Sequence, residues 1–153
     1  MRKSAGILLY RISKMGTEYF LVHPGGPFWK NKDNGAWSVP KGEFSDDEDP
    51  LKAAQREFEE ETGIAIKGKF IELSPVKQKS GKMVYTWACE GNLDHNIIRS
   101  NTFSFEWPPR SGKYIEIPEV DKGDWFTYDV AKLKLIPGQV PILDQLHNML
   151  TRQ

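Results

Sequence analysis

Gly42-Glu43-Phe44-Ser45-Asp46-Asp47-Glu48-Asp49-Pro50-Leu51-Lys52-Ala53-Ala54-Gln55-Arg56-Glu57-Phe58-Glu59-Glu60-Glu61-Thr62-Gly63-Ile64 is the stretch from which the rest of the chain is read. As a pattern it is G-x5-E-x7-R-E-(apolar)-x-E-E-x-G-(apolar). Asp49 can cap a helix, and Pro50 suits the first helical position, where its missing N–H costs nothing. Gly63 sits where a left-handed C-terminal cap belongs. Leu51, Ala54 and Phe58 follow helical spacing and supply an apolar stripe for a core. These signals predict one helix between Asp49 and Gly63.

A helix advances by about 100° per residue, so Glu57, Glu60 and Glu61 fall on one side while Glu59 points roughly opposite, to solvent. Like charges one turn apart destabilise a helix by roughly 0.2–0.5 kcal/mol per pair, and the apolar stripe beside them limits their hydration. A hard divalent cation removes that repulsion. Mg²⁺ in particular takes carboxylate oxygens while keeping waters and phosphate oxygens. An acidic run alone is usually a solvated helix face. Here seven fixed residues and two apolar positions coincide, which chance supplies at a given place with a frequency of roughly 10⁻⁸ at typical abundances. Arg56, one turn before Glu60, can orient Glu60 or Glu48 in a planar geometry that lysine lacks. Gly42 lets the backbone come close to the carboxylates, so the Lys41 carbonyl is a further candidate ligand.

Outward from this segment, Ser4–Arg11 and Glu18–Val22 read as a hairpin around a polar turn. Residues 23–35, rich in Gly and Pro, read as a loop, and Ala36–Val39 as a short strand. Ile64–Lys77 and Lys82–Glu90 read as strands about a Lys79-Ser80-Gly81 turn. Residues 92–114 are polar, with Pro108-Pro109 and Ser111-Gly112, and read as an irregular surface excursion. Lys113–Ile117 and Gly123–Phe126 are short strand candidates, and residues 128–135 a short helix. Ile142, Leu143, Leu146 and Leu150 define a terminal helix over 141–150. Strands and helices mixed along 153 residues, without repeat or linker, give one α/β domain spanning 1–153.

The 21 basic and 21 acidic residues balance, so no global field draws the chain to nucleic acid or to anionic lipid. No apolar run reaches membrane-spanning length, and the first residues lack a signal peptide's apolar stretch. Cys89 is the only cysteine and forms no internal disulfide. It reads as packing, and a cytoplasmic protein is expected. His23, His95 and His147 show no metal-ligand spacing.

The Gly42–Ile64 segment resembles the signature of the Nudix hydrolases, with every defining position filled, and the order of strands and helices is similar to the family over nearly the whole chain. The resemblance implies an α/β/α sandwich with a mixed sheet. It also implies a Mg²⁺-dependent attack of water on a diphosphate linkage, Mn²⁺ being a possible substitute. By that likeness Glu57 and Glu61 are metal ligands, Glu60 is a ligand, a water-orienting base or both, and Glu48 supports Arg56. Outside the segment, relatives bring a further carboxylate to the site. Glu119 in Pro-Glu-Val-Asp-Lys-Gly-Asp-Trp is the first choice, with Asp121 and Glu116 behind it.

Trp37-Ser38-Val39-Pro40-Lys41-Gly42 resembles the W-x-x-P-K-G entry of the dinucleoside-polyphosphate and diphosphoinositol-polyphosphate hydrolases. Lys41 then contacts a phosphate, or is a lysine in a turn set by Pro40 and Gly42. Met83–Ala88 is similar to the strand that carries a base-contacting aromatic in those enzymes. Tyr85 and Trp87 share one side of it and either stack on a base or fill the core. Lys77, Lys79 and Lys82 flank the strand and either meet a polyphosphate or are solvated.

The implied substrate is a nucleoside diphosphate linked to another moiety, with a dinucleoside polyphosphate such as diadenosine tetraphosphate preferred. ADP-ribose, nucleotide sugars, nucleoside triphosphates and diphosphoinositol polyphosphates are the alternatives. A nucleotide-sensing module without turnover is the non-enzymatic one. Residues 92–114 depart from the shorter relatives, as a lid, an interface or part of a specificity pocket.

Overall fold

The computed structural model describes residues 2–152. Its strands are β1 (Lys3–Ser13), β2 (Gly16–Pro24), β3 (Lys41–Glu43), β4 (Phe70–Glu72), β5 (Val76–Lys77), β6 (Met83–Glu90), β7 (Thr102–Glu106), β8 (Tyr114–Pro118) and β9 (Val120–Thr127). Its helices are α1 (Pro50–Thr62), α2 (Tyr128–Lys134) and α3 (Val140–Thr151). Among the described residues, seven strands join one sheet with the order β4-β6-β1-β2-β9, to which β3 and β5 add at β1 and β6. The β1–β6 pair is parallel and the other pairs are antiparallel, so the sheet is mixed. β7 and β8 form a separate two-stranded ribbon.

Strand alternation builds the two sides of the sheet. Ile7 and Leu9 of β1, with Phe20 and Val22 of β2, face α1 through Ala53, Ala54 and Phe58. Leu8 and Tyr10, with Tyr19 and Leu21, face the other way, against Ala131, Leu135, Ile142, Leu143 and Leu146. Two apolar layers enclosed between helices make the α/β/α sandwich. None of these helices is long and apolar enough to cross a membrane among the described residues.

Three sequence expectations are corrected. Ala36–Val39 is not a strand, because it makes only isolated bridges from Ser38 to Val22 and from Trp37 to Leu135. Its remaining needs are met by Gln139, a fully buried amide whose Oε1 accepts from the Val39 amide at 2.9 Å. The continuous strand expected over 64–77 is instead two short ones, β4 and β5, separated around Ser74-Pro75 where proline cannot donate to a ladder. The excursion over 92–114 is not irregular throughout. It contains β7, paired with β8 in register from Thr102–Pro118 to Glu106–Tyr114.

Candidate active site

α1 is built as its ends require. The Asp49 carboxylate accepts from the Lys52 amide at 3.0 Å, and Pro50 opens the first turn. Gly63 closes the helix at φ 77°, a left-handed conformation that glycine adopts without strain. Two carbonyls of the last turn find partners in the segment leading to β7, since the Arg99 amide donates to Thr62 at 2.8 Å and the Asn101 amide to Glu60 at 2.8 Å. The excursion therefore caps the carboxylate helix. The same segment fixes Glu119, between β8 and β9. Its amide donates to the Asn101 carbonyl at 3.0 Å, and its carbonyl accepts from Gly25 at 3.0 Å.

These fastenings bring Glu57, Glu61 and Glu119 together, with one carboxylate oxygen of each within 4.8 Å of the others. Glu57 and Glu61 are buried and Glu119 is half-buried. Burial, then the charges of Glu57 and Glu119, push the Glu61 carboxyl up to about 9, with the Lys41 charge and amide opposing. Burial and the Glu60 charge raise Glu57 against the pull of Arg56, and the same two causes raise Glu119. Gly42 lies directly over Glu57, where any Cβ would collide with the carboxylate.

Oxygens around one Mg²⁺ at 2.0–2.1 Å lie about 2.9 Å apart when adjacent and about 4.2 Å apart when opposite, so the three carboxylates, whose oxygens lie within 4.8 Å of one another, close inward to share a cation. Crowded hard oxygen donors with strained ionisation fit a divalent metal of the Mg²⁺ or Mn²⁺ kind.

Arg56 donates to Glu48 at 3.0 Å, to Glu57 at 3.0 Å and to Glu60 at 3.1 Å. It bridges three carboxylates rather than gripping one in a bidentate pair. Glu60 is half-buried beside the triad and is not one of its members. At helical spacing it lies on the Arg56 side of Glu57, whereas Glu61 lies on the other, which separates what the sequence placed on one face.

Lys41 lines a cavity of about 230 Å³ together with Glu61, Glu119 and Trp29. Burial, followed by repulsion from Lys82, holds its ammonium below the usual lysine range. Lys82 pairs with Glu43 at 3.4 Å.

The other candidates lie elsewhere. Trp37, expected to touch substrate, is only 4% exposed, bonds Asp33 at 2.8 Å and packs edge-on to Phe126. The indole is a core residue, because the bridge to Leu135 turns it inward beneath α2. Tyr85 packs against Phe44 on the α1 side of the sheet and does not line the cavity. Lys79 is exposed and borders a different depression with Lys77, Gln78 and Pro137. Asp121 is turned to His23, whose Nδ1 lies 2.9 Å from it and whose Nε2 lies 2.6 Å from the Lys32 carbonyl.

Trp29 escaped the sequence reading. Its signal was an aromatic pair, Phe28-Trp29, inside a Gly- and Pro-rich loop, where solvent exposure of two rings calls for a reason.

The family model for the NUDIX domain matches residues 2–146. No curated protein matches the chain. Among solved structures, the fold is similar to the Ap4A hydrolase of C. elegans in a binary complex, with a TM-score of 0.70 at 18% identity over 98% of this chain and 99% of that one. It is also similar to the NUDIX domain of Shewanella oneidensis NrtR complexed with ADP ribose, with a TM-score of 0.65 at 16% identity over 97% and 87%. A mutT/nudix family protein from Listeria innocua gives 0.65 at 17% identity over 99% and 94%. A family match that runs through nearly every element of the sandwich places this chain in the NUDIX domain family.

Proposed function

We propose that the chain hydrolyses a pyrophosphate bond in a nucleoside diphosphate linked to another moiety, with Mg²⁺ or Mn²⁺ held by Glu57, Glu61 and Glu119. The observation that carries this is the convergence of those three carboxylates, two of them buried. Arg56 answers the charge of Glu57, and Lys41 that of Glu61. When bound, a divalent cation at this place neutralises the carboxylates, offsets phosphate charge and makes water more acidic.

The chain's own groups divide the remaining work. Arg56 fixes Glu48, Glu57 and Glu60 relative to one another, and is a positioning residue. Glu60, beside the triad and outside it, takes up the proton of the attacking water. Lys41 meets a phosphate oxygen as a point charge in the cavity it shares with Glu61, and its carbonyl is a further candidate ligand.

For the substrate we put a dinucleoside polyphosphate such as diadenosine tetraphosphate first. The entry segment ending in Lys41-Gly42 supports it, as does the likeness in fold to the C. elegans Ap4A hydrolase. Trp37 is buried, Tyr85 is half-buried, and neither lines the cavity, so the choice does not rest on them. ADP-ribose is the second choice, favoured by the likeness to a domain complexed with ADP ribose.

A product-resolved assay with Mg²⁺ tests the ranking over diadenosine tetraphosphate, ADP-ribose, nucleotide sugars, nucleoside triphosphates and diphosphoinositol polyphosphates. Release of adenosine tri- and monophosphate from the first is the expected result. Exclusive turnover of a nucleotide sugar overturns the ranking, and binding without turnover across the panel overturns the enzymatic assignment.

A further inference from the structure

Thr102-Phe103-Ser104-Phe105-Glu106-Trp107 alternates polar and aromatic residues, and β7 and β8 turn that alternation into a one-sided ribbon. Phe103 is paired with Ile117 and Phe105 with Ile115, so aromatic and aliphatic side chains share a face. Thr102, Ser104 and Glu116 occupy the other. The ribbon is not part of the main sheet. Its apolar face instead looks across a cleft of about 300 Å³ towards the loop that follows β2, with Phe28, Trp29, Phe103, Phe105, Trp107 and Ile117 among the walls. Several of these rings remain open to solvent, Phe28 at 57%, Phe103 at 41% and Trp107 at 38%. Aromatic rings left uncovered around one concavity mark a binding surface rather than a core.

The cleft adjoins the carboxylate site. Trp29 forms part of the wall of both. Glu119 is tied on one side to Gly25 of the loop and on the other to Asn101 at the foot of the ribbon. The Lys32 ammonium sits over the Phe28 ring at 3.6 Å from its centroid, adding positive charge at the loop wall.

We propose that this cleft seats an aromatic base of the substrate, next to the diphosphate held at Glu57, Glu61 and Glu119. The inference rests on the pyrophosphohydrolase reading and adds to it the part of the substrate that carries a flat π surface. Apart from the indole N–H groups of Trp29 and Trp107, the wall side chains carry no hydrogen-bonding group. A sugar or a phosphate would therefore lose its hydrogen bonds there, whereas a base keeps its edges free and stacks by its face. Stacking without edge contacts tolerates different bases. The site thus recognises a nucleotide and discriminates weakly between adenine and guanine.

Calorimetric titration in Mg²⁺ tests this with three unreactive probes: adenosine 5′-(α,β-methylene)diphosphate, its guanosine counterpart and methylenediphosphonate, which has no base. Both nucleotides are expected to bind wild type within about threefold of each other, and Phe105→Ala or Trp107→Ala to weaken both by about tenfold, as the loss of one stacking partner does. Methylenediphosphonate should bind all forms alike, which shows that the variants are folded and the metal site intact. Phe105→Leu, which keeps apolar packing and removes the π face, should behave as the alanine variant, and Phe105→Tyr as wild type.

Nucleotide affinity unchanged in Phe105→Ala overturns the proposal. So do geranyl diphosphate binding more tightly than the nucleotides, and a dimer in sedimentation that Phe105→Ala dissolves. Turnover of the diphosphate panel by wild type is read separately. If that turnover is present and Phe105→Ala changes no KM, the cleft assignment fails while the hydrolase stands. If it is absent, the hydrolase reading itself fails.

Discussion

Gly42 lies where a side chain would displace the Glu57 carboxylate rather than the backbone. A flexible carboxylate end can move aside, so Gly42→Ala is expected to fold with a melting temperature close to wild type. Its Mg²⁺-dependent turnover should nevertheless fall by about 10-fold to 100-fold, the range found when a metal ligand is misoriented. Calorimetric metal titration of the same variant should show the weaker binding. At this scale the sequence was informative where helical spacing alone decides the answer, as for Glu57 and Glu61. It left the surroundings of Trp37 and Tyr85 undecided, because neither a short motif nor alternation along a strand says whether a side chain is covered. Whether an aromatic ring meets substrate depends on what the rest of the chain lays against it: Phe126 packs on the buried Trp37, and Phe44 sits edge-on to the half-buried Tyr85.

At the level of elements, α1 was legible at both ends because each cap is a local chemical requirement. Asp49→Ala removes the bond to the Lys52 amide and should lower unfolding stability by about 1 kcal/mol in urea titration, with an unchanged m-value. Gly63→Ala should cost more than about 1 kcal/mol, since it imposes strain at a positive φ and brings a Cβ to 2.9 Å from the Arg99 carbonyl. β8 was legible as a strand over 113–117, but its partner β7 was hidden by the turn between them. Pro108-Pro109 and Ser111-Gly112 gave the whole stretch the composition of a loop, although Phe103, Phe105 and Trp107 already kept a strand's period of two. That the segment leading to β7 also caps α1 and anchors Glu119 could not be read from sequence, as both depend on backbone amides meeting carbonyls far apart in the chain, Asn101 with Glu60 and Gly25 with Glu119.

For the molecule as a whole, the sandwich stores its cost at one place. In the metal-free protein the folded Glu61 holds a proton up to about 9, whereas an unfolded carboxyl releases it near 4.5. The folded form therefore binds more protons between those values, and its stability is greatest below about 4.5 and falls as pH rises towards about 9. Glu57 and Glu119 are raised in the same sense. Thermal melts in chelator should show this decline, Glu61→Gln should flatten it, and saturating Mg²⁺ should restore stability to wild type and not to the variant. A melting temperature in chelator that rises steadily from pH 5 to pH 8 would count against the buried triad.

The most direct test of the central claim is Mg²⁺-dependent release of products from diadenosine tetraphosphate or ADP-ribose, followed by chromatography for wild type and for Glu57→Gln. Turnover that chelator abolishes and that the substitution lowers by about 100-fold or more, with the fold intact by circular dichroism, is the predicted result. Turnover that survives both chelator and substitution would contradict it.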